Sequence, residues 1–291
     1  MNRKTVLVTG ANKGIGRGIA LSIASLGYSV ILACRDMEKA AQAASEIRAY
    51  TGNESVLAMR VDLASFASID ALVTEIRTKG IIVDVLINNA GVLCRNFQSS
   101  ADGFELTMQT NYLGPYHLTT SLLPYIRKKT GRIIAASSVM FHFGRIRDDL
   151  FSMSESTYKK FRAYANSKLA SLLFMLELSR RLEPEGITVN VGDPGIVDTN
   201  ILTMHNAIDP FTDALFRPFV KTVAEGAETF VLLACGETVK GKTGGYYING
   251  EERRLSSGIL DHPRRTTLWG NTERLLARRS GGIILMQDRD A

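Results

Sequence analysis

Cysteine is scarce in this chain of 291 residues: Cys34, Cys94 and Cys235 are an odd three without metal-ligand spacing. That set excludes a disulfide scaffold and fits free thiols in a reducing compartment. Histidine is nearly as sparse, four residues that form no cluster, so no metal site is expected. No apolar run reaches the ~18 residues that a membrane-spanning helix needs. Residues 1–9 lead directly into a strand pattern with no secretory signal in front of it, so the expected location is the cytoplasm. Acidic residues are outnumbered, 29 against 35 basic, for a net charge of +6. Part of the excess lies near the C-terminus, at Arg253, Arg254, Arg264, Arg265, Arg274, Arg278 and Arg279. A solvated surface with a site for a phosphate-rich cofactor accounts for this balance, and nucleic acid or an anionic membrane is the competing reading.

What is present is ordinary for a soluble globular protein: 45% hydrophobic and 22% charged residues. The length buries a sizeable core without disulfide or metal staples. Short apolar runs alternate with helical spacing along the chain. Strands are expected at 5–8, 28–33, 56–61, 82–87, 132–137, 188–191 and 245–249, about seven in all. Helices are expected between them, including a long one from about Gly103 to Lys129 and another around Tyr164. This alternation implies right-handed crossovers and a parallel α/β sheet covered on both faces. No linker or repeat interrupts it, so one domain is expected over 1–270, with a C-terminal tail over 271–291.

The first strand ends in Thr9-Gly10-Ala11-Asn12-Lys13-Gly14-Ile15-Gly16 and opens a helix. Glycines there let backbone approach a pyrophosphate, and the helix N-terminus offers free N–H groups. The same spacing also serves a plain strand-to-helix turn. The second strand ends in Ala33-Cys34-Arg35-Asp36. A dinucleotide site for NAD places an acid at this strand end for the ribose 2′-hydroxyl, and Cys34 cannot fill that role. Arg35 can pair with a 2′-phosphate and Lys13 can add a second cation, whereas Asp36 reads as a helix cap. Tyr164-Ala165-Asn166-Ser167-Lys168 puts a phenol and an ammonium one turn apart on one helix face. A neighbouring ammonium favours a phenolate, and a phenol so tuned can exchange a proton with a hydroxyl or carbonyl. The same pair also occurs on helices where Tyr packs and Lys snorkels.

Together with Asn88-Asn89-Ala90-Gly91, Asn111, Ser137-Ser138 and Pro194-Gly195, these motifs stand in the order of the short-chain dehydrogenase/reductase family, which the chain resembles from residue 4 to about 250. Within it, Leu32 to Asp36 and Ser137 to Ala170 look like the retinol dehydrogenase and WW-domain oxidoreductase branch, and the glycine loop also looks like that of carbonyl reductases. The resemblance implies a single-domain, Rossmann-type, doubly wound parallel sheet. It implies that Tyr164 is the general acid/base, that Lys168 supports it and binds the nicotinamide ribose, and that Ser138 holds the substrate oxygen. Ser137 and Ser138 alternate faces, so only one of them can do so. Asn111 would hold a water that links Lys168 to solvent, or else bond to nearby backbone. Gly10, Asn12, Lys13, Gly14, Ile15, Gly16, Arg35, Asp62, Leu63, Asn89, Ala90, Gly91, Pro194, Gly195, Val197 and Thr199 would line the cofactor, with NADP(H) preferred over NAD(H).

Met140-Phe141-His142-Phe143 reads as an apolar substrate wall or as core, and a substrate lid is expected at about 200–220. The membrane anchor of the membrane-bound retinol dehydrogenases is not part of the pattern here, which separates the chemistry from their substrates. The expected function is an NADP(H)-dependent oxidoreductase of a carbonyl/alcohol pair with apolar character; a nucleotide-sensing protein without the chemistry is the alternative. No nucleic-acid partner and no transmembrane segment is expected. Family members commonly pair through the long helix and the Tyr164 helix, so the resemblance implies a homodimer or homotetramer. Leu106, Leu113, Leu122 and Leu172 would supply the apolar faces.

Overall fold

β1 (Thr5–Thr9) is a run of β-branched and apolar side chains, buried at all positions but the first. A strand of this kind needs cover on both faces. The computed structural model, which describes residues 3–195 and 222–279, provides that cover. β1, β2 (Ser29–Cys34), β3 (Val56–Arg60), β4 (Val85–Asn88), β5 (Arg132–Ala136), β6 (Thr188–Asp193), β7 (Tyr246–Ile248) and β8 (Glu251–Glu252) form one sheet in the order β3-β2-β1-β4-β5-β6-β7-β8. Every pairing is parallel except the last. β8 exceeds the expected count because a two-residue antiparallel strand leaves no hydrophobic pattern to read.

Nine α-helical segments are described: α1 (Gly14–Ser25), α2 (Met37–Thr51), α3 (Phe66–Thr78), α4 (Leu106–Met108), α5 (Gly114–Leu122), α6 (Lys160–Leu182), α7 (Val223–Cys235), α8 (Ser257–Leu260) and α9 (Arg265–Arg279). Alternation along the strands divides the interior into two cores. Val6, Val8, Val30 and Leu32 pack with Ile19 and Ile23 of α1, Ile47 of α2 and Phe230 of α7. Leu7 and Ile31 pack on the other side with Ile69 of α3, Leu118 of α5, Leu169 and Leu173 of α6 and Trp269 of α9. Asp36 caps α2 as the sequence suggests: its carboxylate accepts the Lys39 N–H at 3.1 Å and the Lys39 ammonium at 2.6 Å. Those bonds hold its carboxyl below the ordinary value.

The expected helix over 103–129 is broken. α4 passes into a π-helical turn, Gln109–Leu113, then α5, then a 3-10 turn, Leu123–Tyr125. The cause is Gly114-Pro115. Proline has no N–H to give the carbonyl four residues back, at Asn111, and its ring crowds that carbonyl in a regular helix. The turn widens instead, and the Gly114 N–H reaches back to the Gln109 carbonyl. Gly114 also lies against the loop after β3, where a Cβ would stand 2.2 Å from the Leu63 carbonyl oxygen. Of the leucines expected on a pairing surface, Leu113, Leu122 and Leu172 are buried within the chain and Leu106 is half-buried.

The boundary expected at 270 falls inside α9, whose Thr272 and Leu276 are buried; residues 271–279 are part of the packed fold. The basic C-terminal stretch is partly absorbed there too. Arg253 pairs with Glu251, Arg264 with Asp148 and Arg265 with Glu177. The expected lid lies outside the described residues. Among the described residues no helix is long and apolar enough to cross a membrane, and no group of three or more His, Cys, Asp or Glu is placed to hold a metal.

Candidate active site

The motifs of the sequence converge on the C-terminal ends of the parallel strands. The strand order reverses between β1 and β4, and crevices for ligands open at such a point. On one side of it the glycine loop follows β1. Gly10 has φ +67 and Gly14 φ +53, conformations that a side chain disfavours. Gly16 is packed so closely that a Cβ would stand 2.5 Å from both the Asn89 amide nitrogen and the Gly10 carbonyl oxygen. Asn12 and Ile15 are half-buried beside them. Lys13 stands at the N-cap of α1 and makes no capping bond, so among the described residues no cap side chain holds the first-turn N–H groups of α1. The Ala11 and Asn12 N–H groups point at the Cys34 sulfur, which ties the loop to the end of β2. Burial pushes the Cys34 thiol up and outweighs those two bonds. Among the described residues Arg35 and Lys13 are exposed and form no ion pair.

Thr9 locks the glycine loop to the turn after β4. Its hydroxyl oxygen accepts the N–H groups of Asn89 and Ala90, each at 3.0 Å, and its carbonyl accepts the Asn89 side-chain amide at 2.9 Å. Asp62 and Leu63 follow β3. Leu63 is buried under Gly114, while Asp62 is half-buried and caps its own turn by accepting the Ala64 N–H at 3.0 Å.

On the other side of the crevice, α6 presents Tyr164 and Lys168. Lys168 is 6% exposed, and its ammonium donates to the Ala136 carbonyl at 3.0 Å at the end of β5. The same nitrogen lies 5.6 Å from the centre of the Tyr164 ring, and Tyr164 is itself half-buried. Asn111 sits in the π-helical turn. Its side chain grips the backbone of Val92 in both directions, accepting its N–H at 2.8 Å and donating to its carbonyl at 2.9 Å. It also donates to the Ser167 hydroxyl at 3.0 Å, and Ser167 donates to the Tyr164 carbonyl at 2.8 Å. Gly91 completes the junction: a Cβ there would stand 3.3 Å from Asn111 Oδ1 and 3.7 Å from Lys168 Nζ.

The two serines divide as alternation requires. Ser137 is buried and turned to Tyr246, whereas Ser138 is half-exposed and its hydroxyl oxygen accepts the Met140 N–H at 3.4 Å. Asp193, buried at the end of β6, accepts the Gly195 N–H and the Tyr246 hydroxyl. Burial, and then the Asp193 charge, push the Tyr246 hydroxyl above the ordinary phenol range, so it remains a donor. This carboxylate fixes Pro194-Gly195, which has φ +74 at Gly195. Val197 and Thr199 lie outside the described residues. After Ser138, Phe141 is core, while Phe143 is 73% exposed and His142 is exposed. Met140, Phe143, Phe161, Arg162 and Ala165 line an open groove of about 360 Å³ between the segment after Ser138 and the first turns of α6.

Sequence reasoning did not assign roles to Thr9, Ser167, Cys34 or Asp193. Thr9 and Ser167 stood inside the motifs, but a hydroxyl that organises a neighbouring loop has no periodic signature. The glycine loop, the uncapped α1 terminus and the free cations Lys13 and Arg35 fit a phosphate-bearing dinucleotide, and the missing acid at Cys34 fits one with a 2′-phosphate.

Comparison with known proteins agrees with this arrangement. A family model described as short chain dehydrogenase matches residues 4–208. The chain is similar to retinol dehydrogenase 14 of Mus musculus, 39% identical over 94% of this chain and 86% of the relative. Its similarity to retinol dehydrogenase 12 of Homo sapiens is 38%, over 95% and 87%. Among solved structures, an uncharacterized protein from Mycobacterium paratuberculosis superposes with a TM-score of 0.74 at 31% identity, over 94% of this chain and 92% of that one. A short chain dehydrogenase from Burkholderia cenocepacia J2315 in complex with NADP gives 0.66 at 25%, over 85% and 97%.

Proposed function

This chain belongs to the short-chain dehydrogenase family, and we propose that it is an NADP(H)-dependent oxidoreductase of a carbonyl/alcohol pair in which Tyr164 is the general acid/base. The observation that carries this reading is the buried Lys168 ammonium beside Tyr164, held by the Ala136 carbonyl at the mouth of the sheet. When bound, the nicotinamide supplies or accepts the hydride.

The chain's own residues handle position and proton. Gly10, Asn12, Gly14, Ile15 and Gly16 hold the pyrophosphate against the start of α1. Lys13 and Arg35 pair with the 2′-phosphate, Asp62 and Leu63 border the adenine, and Asn89, Ala90 and Gly91 border its ribose. Pro194 and Gly195 line the nicotinamide side. Ser138 fixes the substrate oxygen. Tyr164 gives its hydroxyl proton to a carbonyl oxygen in reduction and takes one from an alcohol in oxidation. Lys168 has two N–H groups left after Ala136, and these serve the ribose hydroxyls. Asn111 keeps this junction in register and would hold a water on the path from Lys168 to solvent.

The apolar groove lined by Met140, Phe143 and Phe161, on the segments that carry Ser138 and Tyr164, supports an apolar substrate. The relatives' names specify retinol; for this chain the groove supports the wider class of apolar aldehydes, ketones and their alcohols. The test is NADPH consumption across a panel of aldehydes, ketones and quinones, repeated with Tyr164→Phe. Turnover of the best substrate is expected to fall at least ~10²-fold, with NADPH affinity nearly unchanged. A Tyr164→Phe protein that keeps most of its activity would refute the assignment. A chain that binds NADPH and reduces nothing in the panel would point to the nucleotide-sensing alternative.

A further inference from the structure

The face across α5 and α6, where the resemblance places the pairing of two chains, is already covered in this molecule by α9. Trp269 is 2% exposed, and its ring packs against Tyr116 at 5.2 Å and Phe174 at 5.6 Å between centroids. The Arg181 guanidinium lies over the same ring at 4.3 Å. Thr272 is fully buried and shares a 2.7 Å hydrogen bond with the Tyr112 hydroxyl. Arg265 stands 3.4 Å from the buried Glu177 carboxylate, and Leu268 and Leu276 complete the seam. Residues 265, 268, 269, 272 and 276 fall on one side of a helix. The opposite side carries Thr266, Thr267, Arg274 and Arg278, all exposed. α9 therefore spends its one apolar side inward and shows solvent a polar, cationic one. A second copy meeting it there would bring like charges together and find no apolar seam.

We propose that α9 is a cap in cis that takes the place of a partner subunit's helices, so that this chain does not pair with a second copy through α5 and α6. The homodimer or homotetramer implied by the resemblance is replaced, on this face, by an intramolecular contact. The contact also reaches the catalytic helices. Tyr112 is the neighbour of Asn111 in the π-helical turn, so the bond from Thr272 steadies the turn that grips Val92 and Ser167.

The test uses the full chain. Light scattering from low to high micromolar concentration is expected to give the mass of one chain throughout. Amide exchange is expected to show α9 and 106–125 protected to the same degree at both ends of that range, because a cap in cis does not depend on concentration. Protection of those two segments that rises with concentration, together with a dimer mass, would overturn the proposal: a second copy would then be doing the covering. Trp269→Ser removes the ring from between Tyr116, Phe174 and Arg181. Its mass is expected to climb with concentration as α9 loosens. A Trp269→Ser protein whose α9 amides exchange freely while it stays monomeric would also count against a cap that holds pairing off. If that variant does not fold, the exchange comparison on the unmodified chain still decides.

Discussion

On the proposed function, single side chains would set the cofactor and the proton. Among the described residues Arg35 is exposed and forms no ion pair, so its contact with a 2′-phosphate is expected at the low end of the roughly 1.5–3 kcal/mol range for bonds to charged groups. Arg35→Ala should therefore raise the Michaelis constant for NADPH about tenfold and leave that for NADH nearly unchanged. Equal use of both cofactors by the unmodified chain would remove the basis of this assignment. Lys168 bridges the Ala136 carbonyl and the Tyr164 ring, so Lys168→Ala should lower turnover and cofactor affinity together. Ser138→Ala should lower turnover with cofactor affinity left in place. Turnover and NADPH affinity measured for the two variants separate these roles.

Packed elements reverse what local propensity alone would give. Gly to Ala inside a helix normally stabilises by about 1 kcal/mol. At Gly114 the added Cβ would meet the Leu63 backbone oxygen at 2.2 Å, and backbone cannot step aside as a side-chain tip can. Gly114→Ala is expected to cost about 2 kcal/mol net, the scale of overpacking, seen as a lower urea midpoint with an unchanged slope. α6 and α9 meet at Glu177. Its burial alone would raise the carboxyl, but the bonds and charges of Arg180 and Arg181 outweigh burial and hold it below the ordinary value of 4.5. A depressed carboxyl contributes stability in full above its unfolded value and loses it as pH falls through its folded one. Glu177→Gln should thus cost roughly 2 kcal/mol at neutral pH, and the difference from the parent should shrink steadily in acid unfolding curves below that ordinary value. A gap that stays constant into acid would show that the charge of Glu177, held by Arg180 and Arg181, does not contribute to stability.

Across the molecule, the glycine loop, the turn after β4 and α6 converge on one crevice although they lie far apart in the sequence. A ligand that spans the crevice stabilises the folded state by linkage, about 2.7 kcal/mol at a hundredfold excess over its dissociation constant. For a chain of this length that is roughly 5–10 °C in melting temperature. NADPH should raise the melting point by that amount at a concentration where NADH, matched in molarity, raises it less. Arg35→Ala should bring the two curves together. Identical shifts for NADPH in the parent and in Arg35→Ala would place the phosphate elsewhere.

Periodicity in the sequence was enough for the doubly wound sheet, because buried parallel strands are continuous apolar runs and the helices between them repeat at 3.6 residues. The glycine loop and the Tyr164–Lys168 pair were legible for a related reason, each being a local arrangement whose spacing suggests a chemistry, while Asn89 to Gly91 stood out only through the family resemblance. Three features were decided only by the tertiary structure. The π-helical turn within 103–129 starts from Pro115, but its close seating on the loop after β3 depends on Gly114 meeting Leu63, a contact between segments about fifty residues apart. The separation of Ser137 from Ser138 depends on Tyr246 and Asp193 standing on one side of β5. The role of residues 265–279 depends on Tyr112, Tyr116, Phe174 and Glu177 awaiting them. Read alone, that stretch is weakly apolar and basic, and it ends in Ser280-Gly281-Gly282. What turns it from a tail into a cap is the burial available on a face that its own sequence does not contain.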